Sequence, residues 1–182
     1  MSRRLILLLA LIAAGSHAAR AQSPDDTDSS TASRFPIAVW GSLGLGQGSV
    51  HGGNSGMLGV VARGNVSIGP WLLTYRGSDV GPFLGTGNGV RDDGVLVGLR
   101  TGGRRLFGSA ALGYVRASSY HQCDQCGRDQ VNPSVGAFAY DVTLHANYVI
   151  AGIQASLSGS TGPSGVKYSA LTVGLELGWF GQ

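Results

Sequence analysis

"ALTVGLELGWFGQ", residues 170–182, alternates without a break: Leu171, Val173, Leu175, Leu177 and Trp179 fall on one side, Thr172, Gly174, Glu176 and Gly178 on the other. A period of two places successive side chains on opposite faces of a strand. One face is continuously apolar; the other is small and polar and carries a single carboxylate. In a soluble protein the apolar face would cover a core. In a membrane it would meet lipid and leave Glu176 in a polar interior.

The segments before this strand favour the membrane. Arg3 and Arg4 precede an apolar run, Leu5 to Ala14, and Ala19-Arg20-Ala21 follows as an A-x-A site. This is the layout of a secretory signal peptide, residues 1–21, cleaved before Gln22. The ten-residue apolar run is too short for the roughly 20 residues of a spanning helix. Export removes Arg3, Arg4 and Arg20, which leaves ten basic residues against ten acidic ones. The exported chain is formally neutral, so its basic pI is no argument for nucleic acid. Charged residues are only 13% of the chain, against about 25% in ordinary soluble domains. No long apolar helix is available to span a bilayer. An exported, charge-poor chain rich in glycine and β-formers has the composition of a transmembrane β-barrel.

Residues 22–33, QSPDDTDSSTAS, are polar and acidic and read as a disordered periplasmic tail. Eight alternating segments follow within 34–182: 36–46, 57–67, 71–78, 94–101, 105–117, 136–146, 149–158, and a last one from near Lys167. None carries a charge in the middle of its apolar face. Arg63, Arg100, Asp141, His145 and Glu176 all fall on the opposite face. A charge facing lipid at mid-depth costs roughly 2–4 kcal/mol, which is strong selection on phase. The connections after the second, fourth and sixth segments are short, around Gly69-Pro70, Gly102-Gly103-Arg104 and Asn147-Tyr148. The others are longer and rich in glycine. Short periplasmic turns and long outer loops are the asymmetry of outer-membrane barrels.

With its signal peptide, eight strands and turn asymmetry, the chain resembles the small eight-stranded outer-membrane barrels of Gram-negative bacteria. The resemblance covers about residues 34–182. It implies an all-β fold, an eight-stranded antiparallel closed transmembrane β-barrel in the outer membrane. It also implies contact with outer-membrane lipid and lipopolysaccharide, and insertion by the barrel-assembly machinery. Such proteins usually end on an aromatic residue; here Trp179 and Phe180 are followed by Gly181-Gln182. A soluble periplasmic barrel is the alternative architecture, but it would need an apolar inner face.

Eight strands enclose a space that side chains fill. The inner charges are therefore expected to form a lumen salt-bridge network, with Arg63 and Glu176 as its pair, separated only by the first strand. A gate or narrow conduit for ions or small solutes is the functional alternative. By the same phase, Thr172 should tolerate arginine better than Leu175. Tyr75, Tyr114 and Tyr140 should lie toward the outer interface, and Trp71 and Trp179 toward the periplasmic one, as aromatic girdles.

Cys123 and Cys126 lie in the longest outer loop. An oxidising compartment favours a disulfide between them. A metal clip with His121 and Asp124 is the alternative, although a structural zinc site takes four ligands. Ser118, Ser119 and His121 are the candidates for a lipid-modifying enzyme, and spacing alone shows no base or orienting partner. The expected role is non-enzymatic: a structural or surface-interaction protein, with no cofactor, no metal and no nucleic-acid partner. The sequence names no surface ligand.

Overall fold

The computed structural model describes residues 37–51, 57–83, 86–103, 105–122, 130–163 and 166–180. The expected signal peptide and acidic tail, Cys123, Cys126 and Gly181-Gln182 lie outside the described residues. The strands are β1 (Ile37–Val50), β2 (Met57–Ile68), β3 (Trp71–Gly81), β4 (Gly87–Gly102), β5 (Leu106–Gln122), β6 (Gln130–Val131), β7 (Val135–Tyr148), β8 (Ala151–Thr161) and β9 (Lys167–Trp179).

Every pairing is antiparallel, and the sheet order β4-β3-β2-β1-β9-β8-β7-β5 is closed by a β4–β5 ladder. The eight long strands thus form a barrel. β6 is a two-residue addition that pairs with Tyr120 and His121 at the outer end of β5. Closure leaves the barrel wall without a free edge, the condition for a sheet to cross lipid.

The register fixes the tilt. Leu43 of β1 leads through Ala62, Gly77 and Asp93 to Arg116 of β5. In the other direction it leads through Leu175, Ile153 and Ala146 to Leu106 of the same strand. The two routes end ten residues apart, the difference between 116 and 106. For eight strands that shear tilts each strand about 40° from the barrel axis.

Closing so tight a wall demands close backbone approach. Gly44 and Gly174 face each other across β1 and β9. A Cβ on Gly174 would fall on the Leu43 carbonyl. The inter-strand spacing at this bend has no room for one.

Several strands outrun their sequence-level limits at the outer end. β1 continues past residue 46 to Val50, β5 past 117 to Gln122, and β4 begins at Gly87 rather than 94. The backbone ladder continues there after the lipid-facing apolar alternation has stopped, and periodicity reads only the latter. The last periplasmic turn also moves. It lies at Val149-Ile150, not Asn147-Tyr148, with Tyr148 pairing Ala151 and Val149 at φ +57°. A left-handed valine costs roughly 1–2 kcal/mol, and because Val149-Ile150 holds neither Gly nor Asn the tip carries none of the usual turn signals.

Candidate functional site

The outside of the barrel is apolar. Along β9, Leu171, Val173, Leu175, Leu177 and Trp179 are all exposed, from 55% to 69%. On β5 the matching series is Leu106, Ala110, Leu112 and Tyr114. At a rise of about 3.3 Å per residue and this tilt, the Leu171–Trp179 run spans about 20 Å of height, close to the ~25 Å apolar band of a transmembrane barrel. A soluble barrel has the reverse distribution.

Trp71 and Trp179 stand at the periplasmic edge of the belt, where Tyr148 also lies beneath Arg105, 5.9 Å from its ring centroid. Tyr114 is exposed toward the outer edge. Tyr75 lies lower and reaches up to Asp93, with its hydroxyl 3.3 Å from Oδ2. Tyr140 is half-buried against β8, with its hydroxyl close over Gly159.

The inside is apolar at both ends and mixed in its middle, where Val61, Leu96 and Val115 stand among buried polar groups. Near the outer end, buried Val50, Met57, Val80, Val90, Ala117, Ala137 and Val166 occupy the inner face. Near the periplasmic end stand Ala38, Trp40, Leu72, Phe107 and Phe180. Trp40 meets Phe107 edge-on at 5.7 Å and lies tilted against Phe180 at 6.0 Å.

Two buried pairs lie between these layers, and a third stands against the periplasmic one, where His145 meets Phe107 and Trp40. Arg63 Nε donates to Asp141 Oδ2 at 2.8 Å, while its Nη2 donates to Ser156 at 2.7 Å. Thr143 donates to the other Asp141 oxygen at 2.7 Å. Arg76 Nη2 meets Asp92 Oδ2 at 2.6 Å with both side chains fully enclosed. Ser78 donates to Asp92 Oδ1 at 2.5 Å, and Tyr168 donates to Oδ2 at 3.1 Å. His145 Nδ1 lies 2.7 Å from Glu176 Oε2.

The expected Arg63–Glu176 pair is therefore corrected: Arg63 takes Asp141, and Glu176 takes His145. Arg100, the fifth inner charge, lies half-buried near the periplasmic end. Its guanidinium is 3.9 Å from the Phe107 ring centroid and makes contacts of 3.4 Å to Ser67 and to the Phe180 carbonyl.

The Arg76–Asp92 pair is absent from the sequence reading. Arg76 sits on the correct face of the third segment. Asp92, however, precedes the apolar core of the fourth and reads as loop. Alternation carried back from Leu96 through Gly94 would have reached it.

At the outer end, Ser118, Ser119 and His121 do not converge on one another. Ser119 Oγ accepts from Asn132 at 2.8 Å, and His121 Nδ1 lies 2.8 Å from Asn88 Oδ1. Arg91 pairs instead with Asp79 at 2.6 Å, and Tyr120 donates to the same carboxylate at 2.7 Å. Among the described residues no cluster of metal-ligating side chains occurs.

A closed antiparallel barrel, apolar outside and polar within, with short turns at one end and longer connections at the other, defines a small eight-stranded transmembrane barrel of the outer-membrane type. No family model and no curated protein sequence matches the chain. Solved structures do. Neisserial surface protein A superposes with a TM-score of 0.62 at 9% identity, over 78% of this chain and 96% of that one. Ail, the attachment invasion locus protein of Yersinia pestis, superposes with a TM-score of 0.53 at 13% identity, over 80% of this chain and 98% of that one. A second Ail structure, in complex with the heparin analogue sucrose octasulfate, gives 0.52 at 14% identity, over 79% and 96%. At these identities the shared property is the fold.

Proposed function

We propose that the protein is an outer-membrane anchor, exported by a signal peptide cleaved after Ala21, whose principal role is non-enzymatic surface interaction through its outer loops. One observation carries this reading: the strands continue past the lipid-facing belt as a polar collar, while the buried Arg63–Asp141 pair crosses the lumen. The collar is held by Arg91–Asp79, Tyr120–Asp79 and His121–Asn88. It raises the four outer connections above the membrane surface. The Arg63–Asp141 pair that spans the lumen counts against the conduit reading, and the dispersed Ser118, Ser119 and His121 count against a lipid-modifying enzyme at the rim.

Several partners fit this reading. Arg116 and Lys167 are exposed on outward faces just above the belt and supply cations for the phosphates of outer-leaflet lipid and lipopolysaccharide. The β9 strand is the segment offered to the assembly machinery. Cys123 and Cys126 close a small disulfide in the loop after β5, which non-reducing mass measurement reads as two hydrogens fewer than the reduced chain.

The test is surface display on cells of the wild-type chain and of a chain whose residues 123–129 are replaced by Gly-Ser. Both are probed with immobilised matrix proteins and with sucrose octasulfate. The reading expects both chains to resist detergent until boiled and only the wild type to bind. Stepwise bilayer conductance, or a changed lipid composition in cells carrying the wild type, would overturn it.

A further inference from the structure

The inner face at the periplasmic end holds a group of side chains that the surface role does not use. Ser109 Oγ lies 2.9 Å from His145 Nε2, and His145 Nδ1 lies 2.7 Å from Glu176 Oε2. We propose that Ser109, His145 and Glu176 form a nucleophilic relay that takes the acyl group of a small ester. This goes beyond the surface role and is independent of it, because the group lies at the end away from the loops.

For a neutral imidazole, hydrogen-bond logic gives the relay one direction. An ionised carboxylate only accepts, so Glu176 requires the proton on His145 Nδ1. With the ring in that neutral tautomer, Nε2 carries the lone pair and the Ser109 hydroxyl donates to it. A nucleophile bonded to a base, with the base oriented by a third group, is the arrangement that activates a serine.

The supporting contacts restrict the ring and the carboxylate. Phe107 stacks on His145 with centroids 4.2 Å apart and planes 12° apart, while Trp40 meets the ring edge-on at 5.8 Å. With its amide turned to donate, Asn147 holds the second oxygen of Glu176. His145 and Glu176 are buried, and Ser109 alone of the three keeps partial exposure.

An oxyanion needs a donor, and Arg100 stands directly opposite Ser109 across the β4–β5 ladder. Its hydrogen bonds are all 3.4 Å long. Guanidinium bonds committed to an acceptor are nearer 2.7–2.9 Å. Arg100 therefore has donor capacity for a carbonyl oxygen brought beside Ser109.

In the first half-reaction the Ser109 Oγ–acyl carbon bond forms and the ester C–O bond breaks. The hydroxyl proton passes to His145 Nε2 and then to the departing alkoxide. In the second, His145 takes a proton from water, the hydroxide attacks the acyl carbon, and Ser109 leaves with that proton. The narrow lumen of an eight-stranded barrel limits the acyl group to a small one.

The test uses the folded, detergent-purified barrel, with fold scored by resistance to detergent before boiling. A fluorophosphonate probe should label Ser109, identified by peptide mass. p-Nitrophenyl acetate should release p-nitrophenol at least 100-fold faster than with Ser109→Ala, which removes one oxygen and should keep the fold. Ser109→Cys should transfer reactivity to a thiol alkylating agent. A folded wild-type barrel left unlabelled at Ser109, or Ser109→Ala hydrolysing the ester at the wild-type rate, overturns the proposal and leaves a purely structural hydrogen-bond chain.

Discussion

Arg63 of β2 and Asp141 of β7 meet across the lumen at 2.8 Å, although β1, β9 and β8 stand between their strands along that side of the wall. The contact joins opposite walls and leaves little of either side chain exposed, 2% and 6%. Breaking a buried pair from one side leaves an uncompensated charge, at a cost of about 3–5 kcal/mol, whereas replacing both partners costs far less. Asp141→Asn should thus lower unfolding stability more than the Arg63→Met, Asp141→Asn pair does. Urea unfolding in detergent, arranged as a double-mutant cycle, measures the coupling; additive single effects would show the pair is idle.

The same pair shows where sequence reading stops. Alternation assigns Arg63, Asp141 and Glu176 to the inner face because lipid punishes the other choice. It does not assign height. Glu176, Ser42 and Arg63 lie along one hydrogen-bonding row. In strands tilted by about 40° such a row climbs the wall, so two steps separate Glu176 from Arg63 by about 6 Å of height. Asp141, from the far wall, stands at the level of Arg63. Without the shear, which no local pattern encodes, the pairing cannot be read. Asp92 is hidden for a different reason: its strand runs on beyond the belt, where the outward neighbours Arg91 and Asp93 are charged and the apolar signal is gone.

Asp92 and Asp79 give a second comparison. Asp92 is enclosed with Arg76 and accepts from Ser78 and Tyr168 as well, while Asp79 pairs with an Arg91 whose side chain is 68% exposed. Exposed pairs are worth about 0–1 kcal/mol and weaken with salt. Asp92→Asn should cost several-fold more stability than Asp79→Asn, and only the Asp79 effect should shrink in high salt. Equilibrium unfolding at two ionic strengths reads both.

Leu175 and Thr172 test the two faces of the last strand. Leu175 is 69% exposed in the belt, and arginine there should cost about 2–4 kcal/mol or block insertion. The expectation that Thr172 would tolerate arginine does not survive the structure. Thr172 is 1% exposed, with Oγ1 2.7 Å from Ser156, which itself holds Arg63. Arginine at 172 would overfill the lumen beside a like charge. Thr172→Ser is the tolerated change, while both arginine variants should fail a bilayer folding assay. Normal folding of Leu175→Arg would invert the assigned faces.

Gly174 and Gly64 separate wall curvature from glycine content. A Cβ at Gly174 would strike the Leu43 carbonyl and the Gly44 Cα, both backbone, so nothing flexible can move aside. Overpacking of this kind typically costs about 1–3 kcal/mol, and here it acts on the β1–β9 ladder, where the first and last strands of the chain meet. A Cβ at Gly64 would meet nothing within 4 Å, and Gly64 is not among the glycines with positive φ. Alanine there should be neutral or stabilise by about 0.4–1 kcal/mol by narrowing the unfolded ensemble. Gly174→Ala should therefore lower the urea midpoint of the folded barrel and slow its insertion, while Gly64→Ala leaves both unchanged or improved. Equal losses from the two substitutions would mean that glycine acts through strand flexibility rather than through the close approach of β1 and β9.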